Sequence, residues 1–351
     1  MKKKIFALLM VCAVVLGAVG VGFADPKDEK KAKTNNQLLA LLPPSDAAMA
    51  VDAKRFFGEA LPQILSANQP LLTEILSRFD EIKTRTGIDF KQFQQVAIGV
   101  SSFKAVENGY DYEPLVLARG QFKADAIITV AKTASNGKFR EEKIGGRTVY
   151  VFSPQEVIEQ NKGKIGTSAM SGIFGKMLVG LTKEMALTSY DDKTLVLGSL
   201  ARVREMFESK TRISTEVLDL VSRKPNAIVN FGANVPSGLS QFIELDLDEL
   251  GKNLNGVRQL SGAVDVLDGN TLVSVAAKTA EPAQAKGLKE AISGLQSLFA
   301  PILKGSKRED QKIYGRMLEN AKIAQTGNEI TLDVQVPQTD LNVIVGTKKP
   351  N

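Results

Sequence analysis

Five tight-turn signals, each set between two runs of strand-favouring residues, constrain the fold of this chain more than any other feature. They are Asn108-Gly109, Gly145-Gly146, Asp191-Asp192-Lys193, Asp268-Gly269 and Gly327-Asn328. Short connections built on Gly, Asn or Asp supply the backbone angles that let a strand fold back on its neighbour. A strand that returns through two or three residues pairs antiparallel, because a parallel partner needs a crossover of a dozen residues or more. The predicted pairs are Gln95–Phe103 with Pro114–Phe122, Phe139–Lys143 with Thr148–Phe152, and Met185–Tyr190 with Thr194–Gly198. Two more follow, Leu260–Leu267 with Thr271–Lys278 and Ala321–Gln325 with Glu329–Val336. A single strand is expected at Ala47–Asp52 and another at Ala227–Phe231.

Between these strands the apolar residues change to helical spacing. Phe56, Phe57, Ala60, Leu61, Ile64 and Leu65 form one such face, and Leu71, Leu72, Ile75, Leu76, Phe79 and Ile82 another. Further helices are predicted at Lys123–Thr133, Ala201–Ser209, Thr215–Val221, Leu239–Leu254 and Asp340–Val345. A long helix opens at Pro282, with Leu288, Ile292, Leu295, Leu298, Phe299 and Ile302 along one face. Antiparallel hairpins covered by helices define an α+β fold, with each sheet expected to carry helices on one face.

The order of elements recurs along the chain. The run LLALLPPSDAAMAVDA from Leu38 parallels VLDLVSRKPNAIVNFG from Val217, and the run from Met185 parallels the run from Ala321. Two related α+β repeats are therefore expected, over 37–212 and 213–347, with a short tail at 348–351.

The first twenty-four residues form no part of that pattern. Lys2, Lys3 and Lys4 precede an uncharged stretch from Ile5 to Phe23, and Gly22-Phe23-Ala24 places small residues where a signal peptidase reads. Residues 1–24 are expected to be a signal peptide cleaved after Ala24, which directs the protein to the periplasm or the cell exterior. A retained anchor is the alternative expectation, since the uncharged stretch can nearly span a bilayer. Residues 25–36, DPKDEKKAKTNN, read as a flexible charged leader.

Composition excludes much chemistry. The chain has no His and no Trp, and its one Cys, Cys12, lies in the leader. Without His the commonest general base and metal ligand are missing, and without Cys no disulfide, thiolate nucleophile or zinc–thiolate site can form after Ala24. The three leader lysines account for half of the formal charge of +6, so the remainder shows no electrostatic footprint for nucleic acid.

At this point the chain resembles a loose group of uncharacterised exported bacterial proteins with a duplicated α+β architecture. The residues that carry the resemblance are Leu41-Leu42-Pro43-Pro44-Ser45-Asp46-Ala47, Thr86-Gly87-Ile88-Asp89, Gly146-Arg147-Thr148-Val149-Tyr150 and Leu195-Val196-Leu197-Gly198. These phrases are structural. The resemblance implies export and a duplicated fold, and it brings no catalytic motif.

Few segments offer a site. Ser135-Asn136-Gly137-Lys138 has the Ser-x-x-Lys spacing of serine acyl enzymes, but its Asn-Gly pair predicts a turn where that chemistry needs a helix. Gly163–Ser168 misses the phosphate-loop spacing, and Glu244, Asp246, Asp248 and Glu249 lack the spacing and glycine of a calcium loop. The segment 168–181, SAMSGIFGKMLVGL, is more suggestive. Met170, Ile173, Phe174, Met177 and Leu178 make a wide apolar face interrupted by glycines, which suits an adaptable contact surface and equally suits a core helix.

The expected protein is thus a non-enzymatic binding protein of the bacterial envelope, without cofactor or metal. Its expected partner is an apolar small molecule or lipid, or another envelope protein. Two other readings stand beside it, a structural envelope protein without ligand and a carboxylate-dependent hydrolase.

Overall fold

The computed structural model describes residues 37–106, 109–153, 184–236 and 253–346. In chain order these form β1 (Ala47–Asp52) and a helical stretch, α1, made of Ala53–Arg55, a wider turn at Phe56–Ala60, and Leu61–Ile64. Then come α2 (Gln69–Thr86), β2 (Phe93–Val106), β3 (Gly109–Gly120), α3 (Ala124–Ala134), β4 (Arg140–Ile144) and β5 (Arg147–Phe152). They continue with β6 (Met185–Asp191), β7 (Thr194–Ser199), α4 (Leu200–Glu208), α5 (Thr215–Val221), β8 (Val229–Asn234), β9 (Val257–Leu267) and β10 (Asn270–Thr279). The last are α6 (Pro282–Lys304), α7 (Glu309–Asn320), β11 (Lys322–Thr326), β12 (Glu329–Pro337) and α8 (Gln338–Gly346). The fold is α+β, as the turn signals imply.

The local chemistry explains several boundaries. Asp52 ends β1 and caps α1, its carboxylate accepting a hydrogen bond from Arg55 N at 2.9 Å. Glu281 and Gln284 exchange side-chain bonds across the start of α6, with Pro282 in the first turn where its missing N–H costs nothing. The β9–β10 turn takes φ of 48° at Asp268 and 70° at Gly269, the mirror-image geometry that matches strand twist.

Two compact units emerge. One comprises Met49–Ser77 and the described residues from Asp219 onward; the other comprises 37–48 and Arg78–Leu218. The first unit holds strands in the order β11-β12-β10-β9-β8, with Met49–Asp52 of β1 beside β8. Its registered pairs are antiparallel, for example Val275 opposite Gly262 and Leu332. Phe56, Ala60 and Ile64 of α1 pack on Ile228, Val264, Val266, Leu272 and Val273. Leu288, Ile292 and Leu295 of α6 cover Val257 and Ile330, while Ile313 and Met317 of α7 meet Val336 and Leu341. At Gly315 the two helices come so close that a Cβ would lie 2.7 Å from Lys304 N.

In the second unit the order is β2-β3-β7-β6-β5-β4, antiparallel throughout. Strand alternation sorts its side chains. Tyr150, Phe152, Leu187, Leu195 and Ala118 share one face and pack with Ala124 and Ile128 of α3. Val149, Val151, Ala186, Val196 and Leu117 point the other way and are just as buried, beneath α4 with its buried Val203 and Met206. This sheet is therefore covered on both faces, where the sequence led us to expect one. The strands alternate only loosely because neither face meets solvent.

Helix α7 is absent from the predicted elements. Its first four residues, Glu309 to Lys312, are all polar, and only Ile313, Gly315 and Met317 are buried, so its apolar signal is short.

Candidate functional site

The residues singled out as a contact surface, Met170, Ile173, Phe174, Met177 and Leu178, lie outside the described residues. So do the leader and its cleavage point, the Gly163–Ser168 loop and the acids Glu244, Asp246, Asp248 and Glu249. Ser135 does fall within them. It ends α3, buried, with its hydroxyl donating to Lys132 O at 2.7 Å. Asn136 and Gly137 follow with φ of 50° and 77°, which makes the segment a turn and separates Ser135 from any catalytic role for Lys138. Phe56 and Phe57 meet edge to face with centroids 5.3 Å apart, and Phe56 belongs to the α1 core.

Among the described residues no group of three acids could hold a metal ion, and no helix is long and apolar enough to cross a membrane. What the described residues do contain is a buried charge centre in the first unit. Asp265, on β9, is 2 % exposed. Arg55 Nη2 lies 2.6 Å from Asp265 Oδ1, in a direction that pairs the charges without making a hydrogen bond. The same guanidinium donates through Nη1 to Asn226 O at 2.7 Å and through Nε to Glu59 Oε2 at 2.7 Å.

Burial dominates the electrostatics of this centre. It pushes the Asp265 carboxyl up to about 7, against the pull of Arg55, and the nearby carboxylates of Glu59 and Asp52 add to the rise. For Arg55, burial works against the charge, but Asp265 and Glu59 outweigh it and hold the guanidinium above its ordinary value. Such a carboxyl exchanges a proton near neutral pH, which a general acid or base requires. Here it sits under a half-buried arginine and a packed helix, so the arrangement supports an interior proton site rather than a reaction centre.

A second buried cation lies in the other unit. Arg202 of α4, also 2 % exposed, donates through Nη2 to Ser45 Oγ at 2.8 Å and pairs through Nη1 with Glu205. Its Nε is buried without a hydrogen-bond partner. Ser45 in turn donates to Pro43 O at 2.9 Å, so the Leu41–Ala47 phrase is held against α4. Sequence patterning missed both centres, because Arg55, Asp265 and Arg202 look like ordinary surface charges. The one available signal was the position of Asp265, inside a run of apolar strand residues.

No family model matches the chain, and no curated protein matches it. Solved structures of TP0453 do match. Crystal form III superposes with a TM-score of 0.45 at 8 % identity, covering 88 % of this chain and 98 % of that one. Crystal form IV gives 0.44 at 10 % identity over 90 % and 99 %, and crystal form I gives 0.41 at 10 % over 89 % and 98 %. At these values the likeness assigns no function.

Proposed function

We propose that this chain is an exported, non-enzymatic binding protein of the bacterial cell envelope, whose partner is an apolar small molecule, a lipid or another envelope protein. The observation that carries the reading is the apolar, methionine- and glycine-containing run 168–181 in a chain with an export-type leader. Methionine side chains adapt to irregular apolar partners, and glycines let the backbone follow them. The lack of His, and of Cys after Ala24, leaves carboxylate, lysine and hydroxyl chemistry as the only catalytic means. The buried carboxyl that could serve such chemistry, Asp265, is closed over by Arg55.

The test replaces Met170, Phe174 and Met177 together by Ser and compares the apolar material co-purifying with parent and variant. Loss of that material with an unchanged unfolding midpoint supports a contact surface. A loss of more than about 2 kcal/mol of stability identifies the three as core and contradicts the reading.

A further inference from the structure

Helix α6 turns an unusual face to solvent. From Ala291 to Leu303 it carries no charge, and Leu298 and Ile302 are 57 % and 53 % exposed, more than any other large apolar residue described. The opposite face is spent on the core through Leu288 and Leu303. Single exposed leucines are ordinary, but two on successive turns of one helix, with no charge between them, form a ridge. Beside that ridge is a notch. Gly294 lies one turn before Leu298 on the same side, and a Cβ built there meets nothing within 4 Å.

We propose that this face docks on the same face of a second copy of the chain, as an antiparallel, two-fold-symmetric helix pair. In such a pair every contact occurs twice, so the surface must be complementary to itself. The α6 face meets that condition. Centring the two-fold near residue 296 places Leu298 of each copy over Gly294 of the other, a ridge residue into the open notch about 6 Å along the axis. The same register sets Glu290 of each copy alongside Lys304 of the other, on one flank of the apolar strip. Glu290 has capacity for that contact, because its pairing with Lys286 is long, at 3.8 Å, and 66 % of its side chain is exposed. The contact spans only a few turns of one helix, so the dimer belongs to the weak end of specific interfaces and forms with rising concentration. This inference is independent of the apolar-ligand reading above.

Sedimentation velocity over a concentration series tests it, with the full-length chain, Leu298→Lys and Gly294→Leu. Both positions are solvent-exposed in a helix that tolerates Lys and Leu better than Gly, so the variants keep the fold. The expected result is a monomer–dimer equilibrium in the parent that weakens at least tenfold in each variant. Gly294→Leu is the sharper arm. It fills the notch while adding apolar surface, so a helix seeking any apolar partner associates more strongly, and a self-complementary one associates less. A parent that stays monomeric at every concentration, or a Gly294→Leu chain that dimerises as well as the parent or better, overturns the proposal.

Discussion

Replacing Asp265 by Asn probes the strongest electrostatic statement the structure makes. Folding moves this carboxyl from its ordinary value of 3.8 to about 7, chiefly through burial on β9. Below the unfolded value both states hold the proton, so stability does not depend on it. Between the two values only the folded state holds it, and unfolding releases a proton; stability therefore falls as pH rises, by about 1.4 kcal/mol per unit for this one group. The whole shift corresponds to about 4 kcal/mol, complete above the folded value. Asn keeps the shape and cannot titrate. Urea unfolding of parent and Asp265→Asn, at several values between about pH 5 and about pH 8, isolates the term, because all other groups cancel in the difference. The parent should lose about 3 kcal/mol relative to the variant across that range, with most of the loss before pH 7. A difference that stays constant, or that moves in the parent's favour as pH rises, would mean that the Arg55 charge prevails over burial. The account of this centre would then be wrong.

Other perturbations follow from packing. Gly145, at φ 54° in the β4–β5 turn, has Phe207 Cβ 2.8 Å from where its own Cβ would sit, so Gly145→Ala should cost about 2 kcal/mol in chemical denaturation. Arg202→Ala removes a buried cation from Ser45 and Glu205 and should cost about 2 to 4 kcal/mol, while an effect under about 0.5 kcal/mol would place Arg202 at the surface. The Arg147 guanidinium carbon lies 5.3 Å from the Tyr190 ring centre and 5.0 Å from that of Phe207, so Arg147→Ala should lose about 1 to 2 kcal/mol, read by thermal unfolding. Arg147→Lys should recover only part of that, since an ammonium cannot stack flat between rings.

Elements governed by local chemistry were legible in the sequence. Strand β1 and helix α5 have the bounds their spacing predicts, and the hairpins turn where Gly-containing pairs demand it. What the sequence withheld depends on distant partners. Helix α7 is mostly polar and gains its place from Gly315, which fits against Ala300 and Lys304. The covering of Val149, Val151 and Val196 by α4 is invisible to periodicity, because a strand buried on both faces loses its alternation. Arg55 and Asp265 stand far apart in sequence, and only the packing of α1 on β9 brings them together. The long α6 face was read as continuous core from Leu288 to Ile302; the structure splits it, burying Leu288 and leaving Leu298 and Ile302 outside.

Intact-mass spectrometry of the protein from the envelope fraction, native first and then after solvent extraction, tests the central proposal most directly. An exported apolar-ligand carrier should show a chain beginning at Asp25, with a stoichiometric adduct that solvent removes. A chain that retains Met1 to Ala24, or a native mass equal to the extracted one, would contradict it.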